Sequence, residues 1–330
     1  MSDAGLYSVE RAAAILAAGV PAVVAGTEDA LGRLPTGNWI GGTMRYFMTP
    51  AGACESIDQV LIMPMPVAPD DAWIRQYGAH ELARLVTDAP ANGFSIVIMP
   101  AGSPAHLEYA ERAPYYPRLF RTPVVGWIAG VSLHELGSVA PLVFDGRSGH
   151  RDANRAIVLH VRLRTGLSAN ISTTNLFRGD RSGDAITFPD DGLRVTDCRV
   201  NGQVRNFARF LADRGIDTRL PLVADYAGAQ VNTSFQSVDR EAGVVNLYAP
   251  VFSGIEYRIA EPVADYALAF RESVANSAQD PVFACNCILN FVYGELAGRS
   301  IGDLTGPMTF GEIAYQLLNQ TLVCLSIVSS

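Results

Sequence analysis

The sequence predicts an α/β protein with mixed sheets covered by helices, and three observations predict it. Strand-like apolar runs alternate with helical periodicities through the first half of the chain. Several of those runs close on glycine or proline, as strands delivering the chain to tight turns do. Hydrophobic residues make up 49% of 330 residues against 18% charged, enough apolar surface for one large or two medium cored domains.

Taken in order, residues 7–18 read as an alanine-rich helix, 21–25 as a short strand and 28–34 as a helical turn. Trp39-Ile40-Gly41-Gly42-Thr43 is a strand ending on glycines. Val60 to Pro66 is a strand, Asp71 to Thr87 an amphipathic helix, and Phe94 to Met99 a buried strand stopped by Pro100. Pro123 to Gly130 is the next apolar run. Its Trp127-Ile128-Ala129-Gly130 echoes Trp39-Ile40-Gly41-Gly42, which implies either two similar strand-to-loop units or a chance match of four positions. Residues 156–164 alternate as a partly exposed strand, and Arg178 to Asp184 is a polar loop whose Arg-Gly-Asp is turn chemistry. Leu193 to Val200 is a strand, Asn201-Gly202 a hairpin turn and Val204 to Arg214 a helix. A linker at 215–221 separates an amino-terminal lobe, 1–218, from a carboxy-terminal lobe, 219–330. In the latter, 244–248, 256–259, 282–287 and 322–328 are strands and 263–278 a helix.

All 25 basic residues are arginine, against 33 acidic ones. Without lysine there is no Schiff-base amine, phosphate-loop lysine or lysine general base. No G-x-x-x-x-G-K-[ST] or kinase motif occurs, which excludes ATP-driven phosphoryl transfer of those types. A formal net charge of -8 argues against nucleic-acid binding. The uncharged stretch 12–27 is broken by Gly19 and Pro21 and is too short for a membrane span. Five scattered cysteines fit reduced thiols in a cytoplasmic protein. The low charge also leaves apolar surface for a homo-oligomer contact.

Chemistry-bearing motifs are incomplete. His80-Glu81 and His134-Glu135 begin like H-E-x-x-H, but Arg84 and Ser138 stand where the second histidine belongs. Cys285-Asn286-Cys287 has no second pair at metal spacing, so no metal site is expected. There is no G-x-S-x-G elbow and no G-x-G-x-x-G. Residues 36–45 remain usable as a small-ligand loop: glycines admit close backbone approach, Thr43 can hydrogen-bond a ligand and Arg45 can clamp a carboxylate or phosphate.

Gly306-Pro-Met-Thr-Phe-Gly-Glu-Ile-Ala314, followed by Leu318-Asn-Gln-Thr-Leu-Val-Cys-Leu-Ser-Ile327, resembles the end of a FIST domain. The resemblance runs back through Cys285, 239–247 and 250–261, and in the first half through 34–43, 123–130 and 143–146, covering most of the chain. It implies a two-lobed α/β sensory domain that binds small ligands, amino acids among them, and works with a signalling partner. Two departures leave the ligand open. Only six residues separate Glu312 from Asn319 where the family inserts a longer loop, and Asn286-Cys287-Ile288 follows Cys285 where the family places an arginine. Some relatives carry haem, which would need a histidine or thiolate axial ligand; no histidine here falls in a matched motif, so the expectation is no cofactor, with haem as a minor alternative.

The expected function is therefore a stand-alone intracellular sensory protein with its ligand in the cleft between the lobes. Trp39, Thr43, Arg45 and Trp127 would contribute from the first lobe, and Cys285, Asn286, Thr309, Glu312 and Asn319 from the second. Arg45 would clamp an anion, Glu312 would face an amine, and the tryptophans would form an apolar wall. Plainer roles stand beside these: Glu312 as a cap, Asn319 as a turn residue, both tryptophans as core. The alternative function is a cysteine-dependent enzyme using Cys285 for acyl transfer or isomerisation of a small anionic metabolite. An enzyme is the less favoured reading, and no catalytic residue is assigned.

Overall fold

The computed structural model describes residues 4–226, 228–275 and 280–329, and it has the mixed α/β architecture expected. The chain lays down one strand arrangement three times. The first unit is β1 (Gly5–Ser8), α1 (Val9–Leu16), β2 (Ala22–Gly26), α2 (Glu28–Gly32), β3 (Trp39–Thr43), a hairpin of β4 (Tyr46–Met48) and β5 (Cys54–Glu55), and β6 (Gln59–Pro64). The second is β7 (Ala72–Tyr77), α3 (Arg84–Thr87), β8 (Gly93–Pro100), α4 (Pro104–Arg112), β9 (Val124–Ala129), a hairpin of β10 (Val143–Asp145) and β11 (His150–Asp152), and β12 (Ala156–Arg162).

The third unit opens with β13 (Leu167–Thr174) and then receives an insertion with strands and a helix of its own. These are β14 (Ile186–Thr187), β15 (Gly192–Val195), β16 (Asp197–Val200), β17 (Gln203–Asn206), α5 (Phe207–Asp213), β18 (Leu222–Tyr226), β19 (Ala229–Thr233), β20 (Phe235–Asp239), β21 (Val244–Val251) and β22 (Tyr257–Ile259). The unit resumes with α6 (Tyr266–Ala275), β23 (Phe283–Cys287), α7 (Ile288–Tyr293) and β24 (Gly306–Thr309). It closes with a hairpin of β25 (Glu312–Ala314) and β26 (Gln316–Leu318), and β27 (Leu322–Ser329).

Three six-stranded sheets share one order. They run β1-β6-β2-β3-β10-β11, β7-β12-β8-β9-β25-β26 and β13-β27-β23-β24-β4-β5. In each, the third and fourth strands are parallel: Ala22 faces Trp39, Ser95 faces Val124 and Asn286 faces Met308. All other pairings in these sheets are antiparallel. The last two strands of each sheet come from a different unit, so the three units exchange hairpins in a cycle. Strands on both sides of residue 218 consequently share sheets.

The largest core cluster draws on all three units. Sheet 1 shows how the alternation of side chains builds it. Val23, Ala25, Ile40, Leu61 and Met63 belong to the shared core, while Ala22, Val24, Trp39, Val60 and Ile62 pack outward with α1 and α2. Ser8 caps α1 by accepting from Arg11 N, and Thr27 caps α2 by accepting from Ala30 N. The insertion buries a separate core around Phe188, Phe207 and Tyr257. No helix among the described residues is long and apolar enough to cross a membrane.

Several expected elements are corrected. The expected helix over 71–87 is strand β7 followed by short helical turns and α3. Its apolar residues fit either period, and pairing of Ala72 with Val161 and Tyr77 with Ala156 decides for the strand. The strand expected as partly exposed is β12, buried from Ala156 to Val161 because β7 and β8 flank it and core covers both faces. The run 193–200 breaks at Thr196 into β15 and β16, which lie in different sheets. The helix expected from Val204 begins at Phe207, where the Asn206 side chain accepts from Arg209 N. The hairpin turn at Asn201-Gly202 stands, with φ of 47° and 82°.

The tetrapeptide echo misplaces the repeat. Trp39 faces outward to the helices, whereas Trp127 faces the shared core, stacked on Phe283 at 5.9 Å. The units repeat in topology, but the two tryptophans lie on opposite faces, as a one-residue offset in a strand produces.

Gly42 lies where sheets 1 and 2 press together. A Cβ there would sit 2.6 Å from Ile98 Cγ2 and 3.2 Å from both Ala129 Cβ and Trp127 Nε1. Gly42→Ala is expected to destabilise the fold by about 1–3 kcal/mol through overpacking, read from the urea unfolding midpoint. An unchanged midpoint would contradict this packing.

Candidate functional site

The carboxyl ends of the parallel pair β2 and β3 open into a cavity of about 740 Å³. Such ends are where ligands enter open α/β sheets. Thr27 and Thr43 line it from the two strand ends, Arg45 from the turn into β4, Glu28 from α2 and Arg33 from the position just after α2. The turn is held by backbone bonds: Met44 N donates to Gly26 O at 2.8 Å and Gly130 N to Thr43 O at 2.9 Å. The Thr43 hydroxyl accepts from Leu142 N at 2.9 Å.

The wall carries both charges. Arg45 Nε lies 2.6 Å from Glu55 Oε1, Arg151 Nη1 2.6 Å from Glu28 Oε1, and Arg33 Nε 3.5 Å from Asp29 Oδ2. Arg45 is three-quarters buried, with its side chain 24% exposed; its Nε lies close to the Glu55 carboxylate but makes no hydrogen bond among the described residues, so the pair is held by charge in a partly desolvated place. The roof is the loop 130–142, which includes Ser132, Glu135 and Val139. The other face of that loop borders a second cavity, at the carboxyl ends of β8 and β9.

Of the predicted site residues, Thr43 and Arg45 line the first cavity and the rest do not. Trp39 is in the outer core and donates its indole N–H to Pro35 O at 2.9 Å. Trp127 is in the shared core. Cys285 is fully buried, its thiol donating to Gly126 O at 3.3 Å.

The structure brings Asn286, Thr309 and Glu312 together in a buried polar cluster. Thr309 Oγ1 lies 3.1 Å from Glu312 Oε1 and 3.1 Å from the carbonyls of Asn286 and Gly311. Thr321 N donates to Glu312 Oε2 at 3.2 Å, and the Cys287 thiol sits against the same carboxyl. Asn286 Oδ1 accepts from Cys287 N at 2.8 Å and from Asn290 Nδ2 at 2.9 Å. Asn319 Oδ1 accepts from Ser234 N at 3.3 Å, joining the third unit to the insertion. Among the described residues no arginine bonds to Glu312, and burial holds its carboxyl well above the ordinary range. A protonated Oε1 then donates to Thr309, whose hydroxyl passes the donation to a carbonyl, and Oε2 accepts from Thr321 N. A neutral acid thus satisfies both carboxyl oxygens and the Thr309 hydroxyl, while Asn286 Nδ2 and Asn290 Oδ1 are buried without a hydrogen-bond partner among the described residues.

The same burial raises the thiols of Cys285 and Cys287 far above their usual value, and neither thiol lines either cavity. As candidates for a thiolate nucleophile they are poorly placed.

The sequence reading missed a chain of hydrogen bonds in sheet 2. Ser95 Oγ is 2.8 Å from His160 Nδ1, His160 Nε2 is 2.9 Å from Tyr77 OH, and Tyr77 OH is 3.1 Å from Asp88 Oδ2. A carboxylate only accepts, so Tyr77 donates to Asp88, His160 Nε2 to Tyr77, and Ser95 to Nδ1. Burial pushes His160 down to about 4, so the ring is neutral. The order matches a hydrolase triad extended by a tyrosine, but Ser95 is fully buried and borders neither cavity. Its sequence signal was only a serine and a histidine inside strands that otherwise hold apolar residues.

Among the described residues, no group of three or more His, Cys, Asp or Glu side chains is placed to hold a metal ion. None of the five histidines lines the first cavity.

A sequence model of a family of unknown function (DUF6976) matches residues 7–328. No curated protein matches the chain.

Two outcomes follow from this chemistry. Folding favours protonated Glu312, so its contribution is complete below the unfolded carboxyl range near pH ~4.3 and is lost as pH rises above it. Glu312→Gln cannot ionise and keeps both bonds. It is expected to match the wild type near pH 4 and to exceed it in urea-unfolding stability at pH 8; a constant difference across that range would contradict a neutral buried acid. Under native conditions iodoacetamide is expected to label the half-buried Cys54 first, with Cys285 and Cys287 modified only on unfolding, as peptide mapping reads out.

Proposed function

The chain belongs to that family, and we propose that it is a small-ligand-binding sensory protein of FIST type whose site is the cavity at the ends of β2 and β3. The observation that carries the reading is a parallel strand pair opening onto a 740 Å³ space walled by paired arginines and carboxylates. Ligand pockets commonly span ~300–1,000 Å³. A wall of both signs suits a zwitterion such as a free amino acid. Its carboxylate would take Arg45 from Glu55, and its ammonium would meet Glu28 or Glu135. Thr43 would orient the ligand through its hydroxyl. A cytoplasmic setting and a signalling partner belong to the same proposal; they rest on the acidic, lysine-free composition and on the resemblance in the closing strands. The cysteine-dependent alternative gains no support from the buried thiols.

The test is thermal unfolding with each of the common amino acids and small dicarboxylates. A ligand at ~100 times its dissociation constant is expected to stabilise the wild type by about 2.7 kcal/mol. Arg45→Gln is expected to weaken that ligand about 10- to 100-fold. A ligand that stabilises Arg45→Gln as strongly as the wild type would remove the cavity from consideration.

A further inference from the structure

The second cavity, about 730 Å³, stands in the second unit where the first cavity stands in the first: at the carboxyl ends of the parallel strands, here β8 and β9. Its chemistry differs. Its floor and one wall come from the second unit, through the turn into α4 and the loop 130–142. Its other wall comes from the insertion, through β15, β20 and β21. No aspartate or glutamate lines it, and its one arginine, Arg194 of β15, has no ion pair among the described residues. Beside that charge the lining mixes apolar side chains, Leu107, Leu136, Leu247 and Phe310, with the amides of Asn154, Gln236 and Asn246 and with His106. Leu107 and Leu136 are 44% and 48% exposed, which is high for leucine and marks the mouth as uncovered apolar surface.

From this geometry we propose that the second cavity is a separate binding site for a small amphipathic anion, a molecule with one carboxylate or sulfonate and an apolar body. Arg194 meets the anionic group, a pairing guanidinium geometry favours, and the leucines and Phe310 enclose the apolar part. The site differs in kind from the first cavity, whose arginines are all paired with carboxylates and whose wall suits a zwitterion. Because the ligand would touch both the second unit and the insertion, it would also fasten the insertion to the body of the protein. The proposal stands apart from the amino-acid reading of the first cavity.

The experiment uses the whole chain with 8-anilinonaphthalene-1-sulfonate, an anion on an apolar frame, followed by fluorescence titration. N-phenyl-1-naphthylamine, which lacks the sulfonate, is the neutral control. The wild type is expected to bind the sulfonate saturably with one site. Arg194→Gln is expected to weaken it about 10-fold or more, as loss of a charged hydrogen-bond partner does, and Arg194→Lys to restore most of the affinity. The neutral probe should bind wild type and Arg194→Gln alike, which separates a lost charge from a damaged fold. Arg45→Gln should leave sulfonate binding unchanged. Equal sulfonate affinity in Arg194→Gln, or loss of it in Arg45→Gln, would overturn the assignment.

Discussion

The exchange of hairpins among the three units is the constraint on which the rest of the structure depends. Each six-stranded sheet is finished by two strands from another unit: β4 pairs with β24, β10 with β3, and β25 with β9. Those ladders place three sheets around a single shared core. They also set the turns that matter for chemistry. The step from β3 into β4 carries Arg45, the step from β9 into β10 is the loop dividing the two cavities, and the step from β24 into β25 delivers Glu312 as the first residue of β25. One topological device thus yields three different outcomes. In the first unit the strand ends are open and charged on both signs, in the second they are open and mostly apolar, and in the third they are filled by a hydrogen-bonded cluster.

The filled position shows why residue type alone is a weak guide to a site. Asn286, Thr309 and Glu312 look like ligand-binding groups in sequence, and they do converge. They converge on one another, with Thr321 N and the Asn290 amide completing the set. A buried carboxyl without a cation costs free energy unless it is neutral and fully bonded; burial pushes Glu312 towards the protonated acid, and Thr309 and Thr321 bond its two oxygens.

The legible part of the fold was the part written locally. The strands β3, β8, β9 and β27 declare themselves as continuous apolar runs, and the Asn201-Gly202 turn declares itself by residue type. What could not be read was decided by distant pairing. β7 carries a pattern that suits a helix equally well and becomes a strand through β12, and the short hairpins β4-β5 and β25-β26 have too few residues to show a period. The threefold repeat was hidden for the same reason. The units agree in the order of their hydrogen bonds and not in their residues, and the one visible echo joined two tryptophans on opposite faces. Within the site, Thr43 and Arg45 were legible because glycines just before them mark a strand end. Arg194 was not, since only the folding of the insertion against the second unit brings it to a cavity.

The distance in sequence between partners in sheet 3 has a consequence for biosynthesis. That sheet needs β4 and β5 from near residue 50, β13 from near 170, and β23, β24 and β27 from beyond 280. Non-local pairing of this kind is slow, because loop closure must precede the contacts that reward it. On the ribosome, sheet 3 cannot be assembled until β27 has emerged, although much of the first two units is already synthesised. During that interval the apolar face of sheet 2, with Trp127 awaiting Phe283, is uncovered, and nascent chains in that state are prone to associate. The cover over Trp127 is therefore completed only once the strands beyond residue 280 have been made and paired.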